Sequence, residues 1–140
     1  MSRDQERVQR IHSGGPWETE LGYSRAIRIG DRVLVSGTTA ARSEDEPVPP
    51  GAADQARLAL DTIEQALAHA GAEMADIVRT RLFVVDLPAN GDAVLAVHGE
   101  RLRGVRPVTS TLGVDALVDP GLLVEIEVEA IVGAGAVYEG

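Results

Sequence analysis

The chain has 140 residues, 44% of them hydrophobic, which is enough for one buried core and too few for two ordinary domains. A formal net charge of −9 with only 3% aromatic residues supplies neither the cationic surface that polyanions need nor the stacking platforms of single-strand readers, so no nucleic-acid partner is expected. Cysteine and lysine are both absent, all 13 basic residues being arginine; this excludes disulfides, thiolate chemistry and a pyridoxal Schiff base, and no cofactor or metal is expected.

No apolar run approaches the roughly 20 residues of a membrane span, and Met1–Arg7 lacks the apolar core of a signal peptide, so the sequence reads as cytoplasmic with no membrane partner. Residues 1–7 are charged and read as a frayed N-terminus, with one domain over 8–140. Arg7–His12 alternates weakly, as a short edge strand does. Ser13–Glu18 is rich in turn formers around Trp17, the single tryptophan, which serves either as a loop anchor or as a surface for ligand stacking. Gly22–Ile29 and Arg32–Gly37 read as two strands joined at Gly30-Asp31, and Gly37 lets the backbone approach another group closely.

Residues 42–51 form a polar, proline-rich loop. From Ala52 to Ala70 the apolar stripe Ala56, Ala59, Leu60, Ile63, Ala66, Leu67 and Ala70 repeats at helical spacing, with Gly71 as its stop and His69 as a partner for the helix dipole. Ile77–Val85 reads as a strand with Val78, Leu82 and Val84 on one face and Arg79 and Arg81 on the other. Asp86–Asn90 reads as a turn, with Asn90 capping a second helix from Gly91 to about Leu102. His98 has no second histidine at i+4, which leaves a metal site unsupported. Pro107–Leu117 reads as a strand and Asp119–Gly121 as a turn.

The clearest period-2 pattern follows, at Leu122–Val132. Val124, Ile126, Val128, Ala130 and Val132 share one apolar face, and Glu125, Glu127 and Glu129 share the other. Carboxylates about 7 Å apart repel by roughly 0.6 kcal/mol in water and about 2.4 kcal/mol at an effective dielectric of 20, so the row cannot be buried unpaired. Either that face is wet, or arginines such as Arg79 and Arg81 meet it, or one carboxylate is held at a site. The order β-β-β-α-β-α-β-β predicts an α+β domain, one mixed sheet with two helices on one face, whose other face meets solvent or another subunit.

Gly22-Tyr-Ser-Arg-Ala26, Val35-Ser-Gly37, the long helix, Arg81–Leu87, Arg106-Pro107 and Leu123–Glu127 occur in the order found in the RidA/YjgF family, which the chain resembles from about residue 8 to residue 133. The resemblance implies a chorismate-mutase-like fold, a homotrimer with clefts between subunits, and a small-molecule ligand; well-characterised members hydrolyse reactive imines and enamines. It assigns Tyr23, Ser36, Gly37 and Ser110 to substrate binding and Glu125 to the water-positioning carboxylate, with Glu127 as the competing match. At position 109 the deaminases carry an arginine that grips the substrate carboxylate; here Thr109 stands in its place and offers a single neutral donor. A valine stands at or near the place of the family's cleft asparagine. Two functions therefore remain open: an imine or enamine hydrolase of altered substrate preference, and a non-catalytic trimer that binds a small metabolite. The family's older label, an endoribonuclease, is disfavoured by charge.

Overall fold

The computed structural model describes residues 7–137, so most of the expected N-terminal fray lies outside the described residues. A six-stranded sheet has the order β1-β2-β3-β6-β4-β5, built from β1 (Val8–Ile11), β2 (Ala26–Ile29), β3 (Arg32–Thr38), β4 (Ile77–Val85), β5 (Val108–Val114) and β6 (Val124–Ile131). The glutamate-bearing β6 is central, antiparallel to both β3 and β4. Only β4 and β5 run parallel, joined by a helical crossover. As expected, β1 is an edge strand and β2–β3 a hairpin.

The two long helices, α2 (Ala52–His69) and α3 (Leu87–Leu102), pack together over one face of the sheet. The predicted stripe of α2 is buried against Val33, Val35, Leu82, Val84, Ile126 and Val128. Fully burying side chains such as Leu60, Ile63 and Leu67 stabilises the fold by about 1.5–3 kcal/mol each, an upper bound given a compact unfolded state. Past α2, Gly71 adopts φ +81° and the Ala72 amide bonds back to Leu67 O at 2.8 Å. Arg28 also donates to Ala70 O at 2.7 Å, placing its cation at the helix C-terminus.

Three sequence expectations need correction. The turn-rich segment after His12 contains a helix, α1 (Pro16–Leu21), so β2 begins at Ala26 rather than Gly22. Pro16 opens this helix, where its missing N–H costs nothing, and Gly22 closes it at φ +80°. α3 starts at Leu87, capped by Asp86 rather than Asn90, because Pro88 fits in a first turn; Asn90 is helical and its Nδ2 donates to Val85 O at 2.8 Å. In β4 the core side is Ile77, Thr80, Leu82 and Val84, and Val78 is half-exposed, because an irregularity between Ile77 and Arg79 shifts the alternation.

Gln55, fully buried on α2, was absent from the sequence reading. Its Nε2 donates to Pro49 O at 2.8 Å and Gly121 O at 2.9 Å, and its Oε1 accepts from Leu123 N at 2.8 Å. This amide fixes the approach to β6 and thereby the end of that strand where Glu125 sits.

Candidate active site

The three glutamates of β6 share the sheet face away from the helices, yet their surroundings differ. Glu129 lies 3.9 Å from Arg79 and 3.6 Å from Arg32, and Glu127 bonds Arg81 at 3.0 Å. Cross-strand register makes those pairs: Arg79 stands opposite Glu129 and Arg81 opposite Glu127. Opposite Glu125 stands Phe83, which offers no charge. Among the described residues Glu125 has no ion pair. Burial raises its carboxyl above the ordinary carboxylate value, Glu127 pushes the same way, and Arg25 pulls it back.

Glu125 reaches a cleft of about 340 Å³ at the end of the sheet, walled by α1, the β3 exit, α2 and the loop before β6. Gly37 makes this possible: a Cβ there would stand 2.8 Å from the Glu125 carboxyl carbon. The pairing of β3 with β6 shifts between Val35 and Thr38, around that contact.

Arg25 also lines the cleft. Its guanidinium donates to Thr38 Oγ1 at 3.1 Å and to Gly37 O at 3.4 Å, and lies 5.6 Å from the centre of the Tyr23 ring. Its Nε is buried without a hydrogen bond, 3.9 Å from Glu18. Glu18, only 4% exposed, accepts bonds from the Ser13 amide at 3.0 Å and from the Ser13 hydroxyl, with His12 Nδ1 at 3.6 Å.

Of the residues singled out in the sequence, Tyr23, Gly37 and Glu125 meet in the cleft, and Trp17 joins them. Ser36 lies next to it, but its hydroxyl donates to Ser24 O at 2.6 Å and braces the strand. Thr109 and Ser110 do not enter the cleft of their own chain. Thr109 pairs in register with Thr80, three residues along β4 from Phe83 and so roughly 10 Å away along the strand. It lies on the helix side, where its hydroxyl accepts from Thr80 at 2.9 Å; Ser110 is on the open face beside Arg81. His98 Nε2 is 2.8 Å from the Thr80 hydroxyl, and burial lowers its pKa, so this histidine is held in hydrogen bonding within the fold. Glu18, Arg25, Thr62, Gln65 and Asp119 were not foreseen in the cleft. Glu18 and Arg25 could have been suspected once Pro16 and Gly22 were recognised as the ends of a helix.

The fold is an α+β sheet with two covering helices, and its candidate site is the polar cleft beside Glu125. Among the described residues, no cluster of three His, Cys, Asp or Glu could hold a metal ion, and no helix is long and apolar enough to cross a membrane. The sequence matches the family described as endoribonuclease L-PSP over residues 16–132. An uncharacterised protein of Streptomyces coelicolor is 39% identical over 134 residues, 92% of this chain and 96% of its own. The Escherichia coli 2-iminobutanoate/2-iminopropanoate deaminase is 31% identical over 111 residues, covering 78% of this chain and 84% of the enzyme. A solved Mycobacterium tuberculosis member of the YjgF/YER057c/UK114 family has a TM-score of 0.82 at 45% identity, over 90% of this chain and 100% of that one. The chain belongs to the RidA/YjgF family, also described as endoribonuclease L-PSP.

Proposed function

We propose that the protein is a cytoplasmic homotrimer whose clefts bind a small metabolite and hydrolyse an imine or enamine. Glu125, a carboxylate that faces the cleft without an arginine partner, carries this reading. An imine carbon is already electrophilic, so catalysis needs an ordered water and a base, with no covalent enzyme intermediate. Glu125 takes a proton from the water as its oxygen bonds to the carbon. Glu125 returns that proton to the nitrogen, and as the C–N bond breaks the remaining hydroxyl proton also passes to nitrogen, so that ammonia leaves and a carbonyl compound remains. A raised carboxyl pKa suits that exchange of protons. The likeness to a named iminobutanoate deaminase supports the reaction class.

The trimer is supported by the open sheet face, where Leu34, Leu112, Val108 and Ile131 are exposed beside half-buried Phe83 and Val85. In such an assembly Thr109 and Ser110 of a neighbouring subunit complete each cleft. One observation favours a second reading, a non-catalytic binding trimer: threonine stands at position 109, and no arginine from that strand can grip a substrate.

The test follows ammonia release from imines generated in situ by an oxidase, with protein and with buffer, alongside light scattering. The hydrolase reading predicts faster release by a trimer. A trimer that leaves the spontaneous rate unchanged supports the binding protein, and a stable monomer at micromolar concentration contradicts the assembly.

A further inference from the structure

The charges in the cleft do not balance. Two arginines line it, and each lies near an acid: Arg25 is 3.9 Å from Glu18, and Arg42 is 3.8 Å from Asp61, which also bonds Arg101 at 2.9 Å. Arg25 is held by bonds from one terminal nitrogen to Gly37 O and Thr38 Oγ1 and by its packing on Tyr23, while its buried Nε has no hydrogen bond. Two other cleft carboxylates, Glu125 and Asp119, form no ion pair among the described residues, although Arg25 acts on Glu125 from a distance. Trp17 and Tyr23 add aromatic surface, which attracts cations over ring faces.

We infer that the cleft selects neutral or positively charged imines of simple amines and disfavours ligands bearing a carboxylate. This inference rests on the hydrolase reading for the word imine, and its charge preference stands or falls by itself. An incoming carboxylate meets a lining in which three acids, Glu18, Asp119 and Glu125, outnumber two arginines, Arg25 and Arg42, each of them near an acid. An ammonium or iminium group meets two unpaired carboxylates in a partly desolvated site. The neighbouring-subunit residues proposed to complete the cleft, Thr109 and Ser110, are neutral and leave this balance unchanged.

Trp17, the single tryptophan, lies in the cleft and reports on binding through its fluorescence. Full-length protein is titrated with n-butylammonium and with butyrate at matched ionic strength, as wild type, Glu125→Gln and Asp119→Asn. Butylammonium is expected to bind at least about tenfold more tightly than butyrate, and each variant to reduce that ratio by about threefold or more, Glu125→Gln the most. The second variant serves if the first fails to fold. Equal binding, or tighter binding of butyrate, overturns the inference; a cation reaching the cleft from a neighbouring subunit, such as Arg106, would then be indicated.

A parallel assay supplies the imine of butylamine from an amine oxidase and 2-iminobutanoate from an amino-acid oxidase. Faster ammonia release from the first agrees with the inference, and faster release from the second contradicts it. Cation preference in the titration with neither imine hydrolysed leaves the charge inference standing and removes the hydrolase reading.

Discussion

The two ends of β6 present the same residue type on the same face and put it to different uses. At one end Glu127 and Glu129 face Arg81 and Arg79 across the ladder, and the charges are spent on each other. At the other, Glu125 faces Phe83 and turns over Gly37 into a cleft. A two-residue step along one strand separates a structural carboxylate from an available one. The cause is the cross-strand neighbour, so changing that neighbour should change the role.

A large effect is expected at Gly37, on the scale of losing Glu125 itself. A methyl group there would stand 2.8 Å from the Glu125 carboxyl carbon, and the half-exposed end of Glu125 can swing aside. Gly37→Ala should therefore lower imine hydrolysis by about 100-fold, as loss of a positioned base does, while stability changes by less than about 1 kcal/mol. Kinetics together with urea unfolding checks this; a large stability loss with activity retained would contradict it.

Phe83→Arg gives Glu125 the partner that Glu127 already has. Hydrolysis should fall about tenfold as the carboxylate is tied to a guanidinium, and the pH at which half the activity is lost should move down. An unchanged pH–rate profile would mean that the cross-strand position does not control Glu125. The reciprocal change, Arg81→Gln, unpairs Glu127. Both side chains are more than a third exposed, so a stability loss of about 0.2–1 kcal/mol is expected, with hydrolysis nearly intact.

The smallest effect is a pH dependence. The Glu125 carboxyl titrates above its ordinary value of 4.5 in the folded chain, so the native state holds that proton more tightly than the unfolded chain does. Its contribution to stability is greatest at low pH and declines as pH rises from about 4.5 through the folded value. Glu125→Gln cannot titrate. The stability of the variant relative to wild type should therefore increase over that window and stay level above it, as measured by unfolding at a series of pH values. The opposite slope would mean that Glu125 is stabilised in its charged form.

How much of this could be read from the sequence differs between sheet and site. The β6 pattern displayed its faces because side chains alternate with period two, and Arg79 and Arg81 were legible as partners from the same rule on β4. Alternation could not show which glutamate faced which arginine, since register depends on bulges at Ile77–Arg79 and Val35–Thr38 that no local pattern marks. Thr109 was placed in the cleft by resemblance to enzymes whose sites lie between subunits; in a single chain it sits on the far edge strand. Glu18 was missed because α1 has only six residues, too few to display a helical stripe, and was read as a turn; Arg25, in the link between α1 and β2, was read as part of the strand from Gly22. Gln55 escaped for another reason: an amide on the apolar stripe of a helix resembles a surface residue until the loop backbone it bonds is known.

The most direct test of the account compares Glu125→Gln with Glu127→Gln in one assay of ammonia release from an in-situ imine. Both substitutions remove one negative charge and keep the side-chain shape, and the positions are two residues apart on the same face. Hydrolysis is predicted to fall by at least about 100-fold in Glu125→Gln and by less than about threefold in Glu127→Gln. Equal losses in the two variants, or the greater loss at position 127, would contradict the assignment of Glu125 as the working carboxylate.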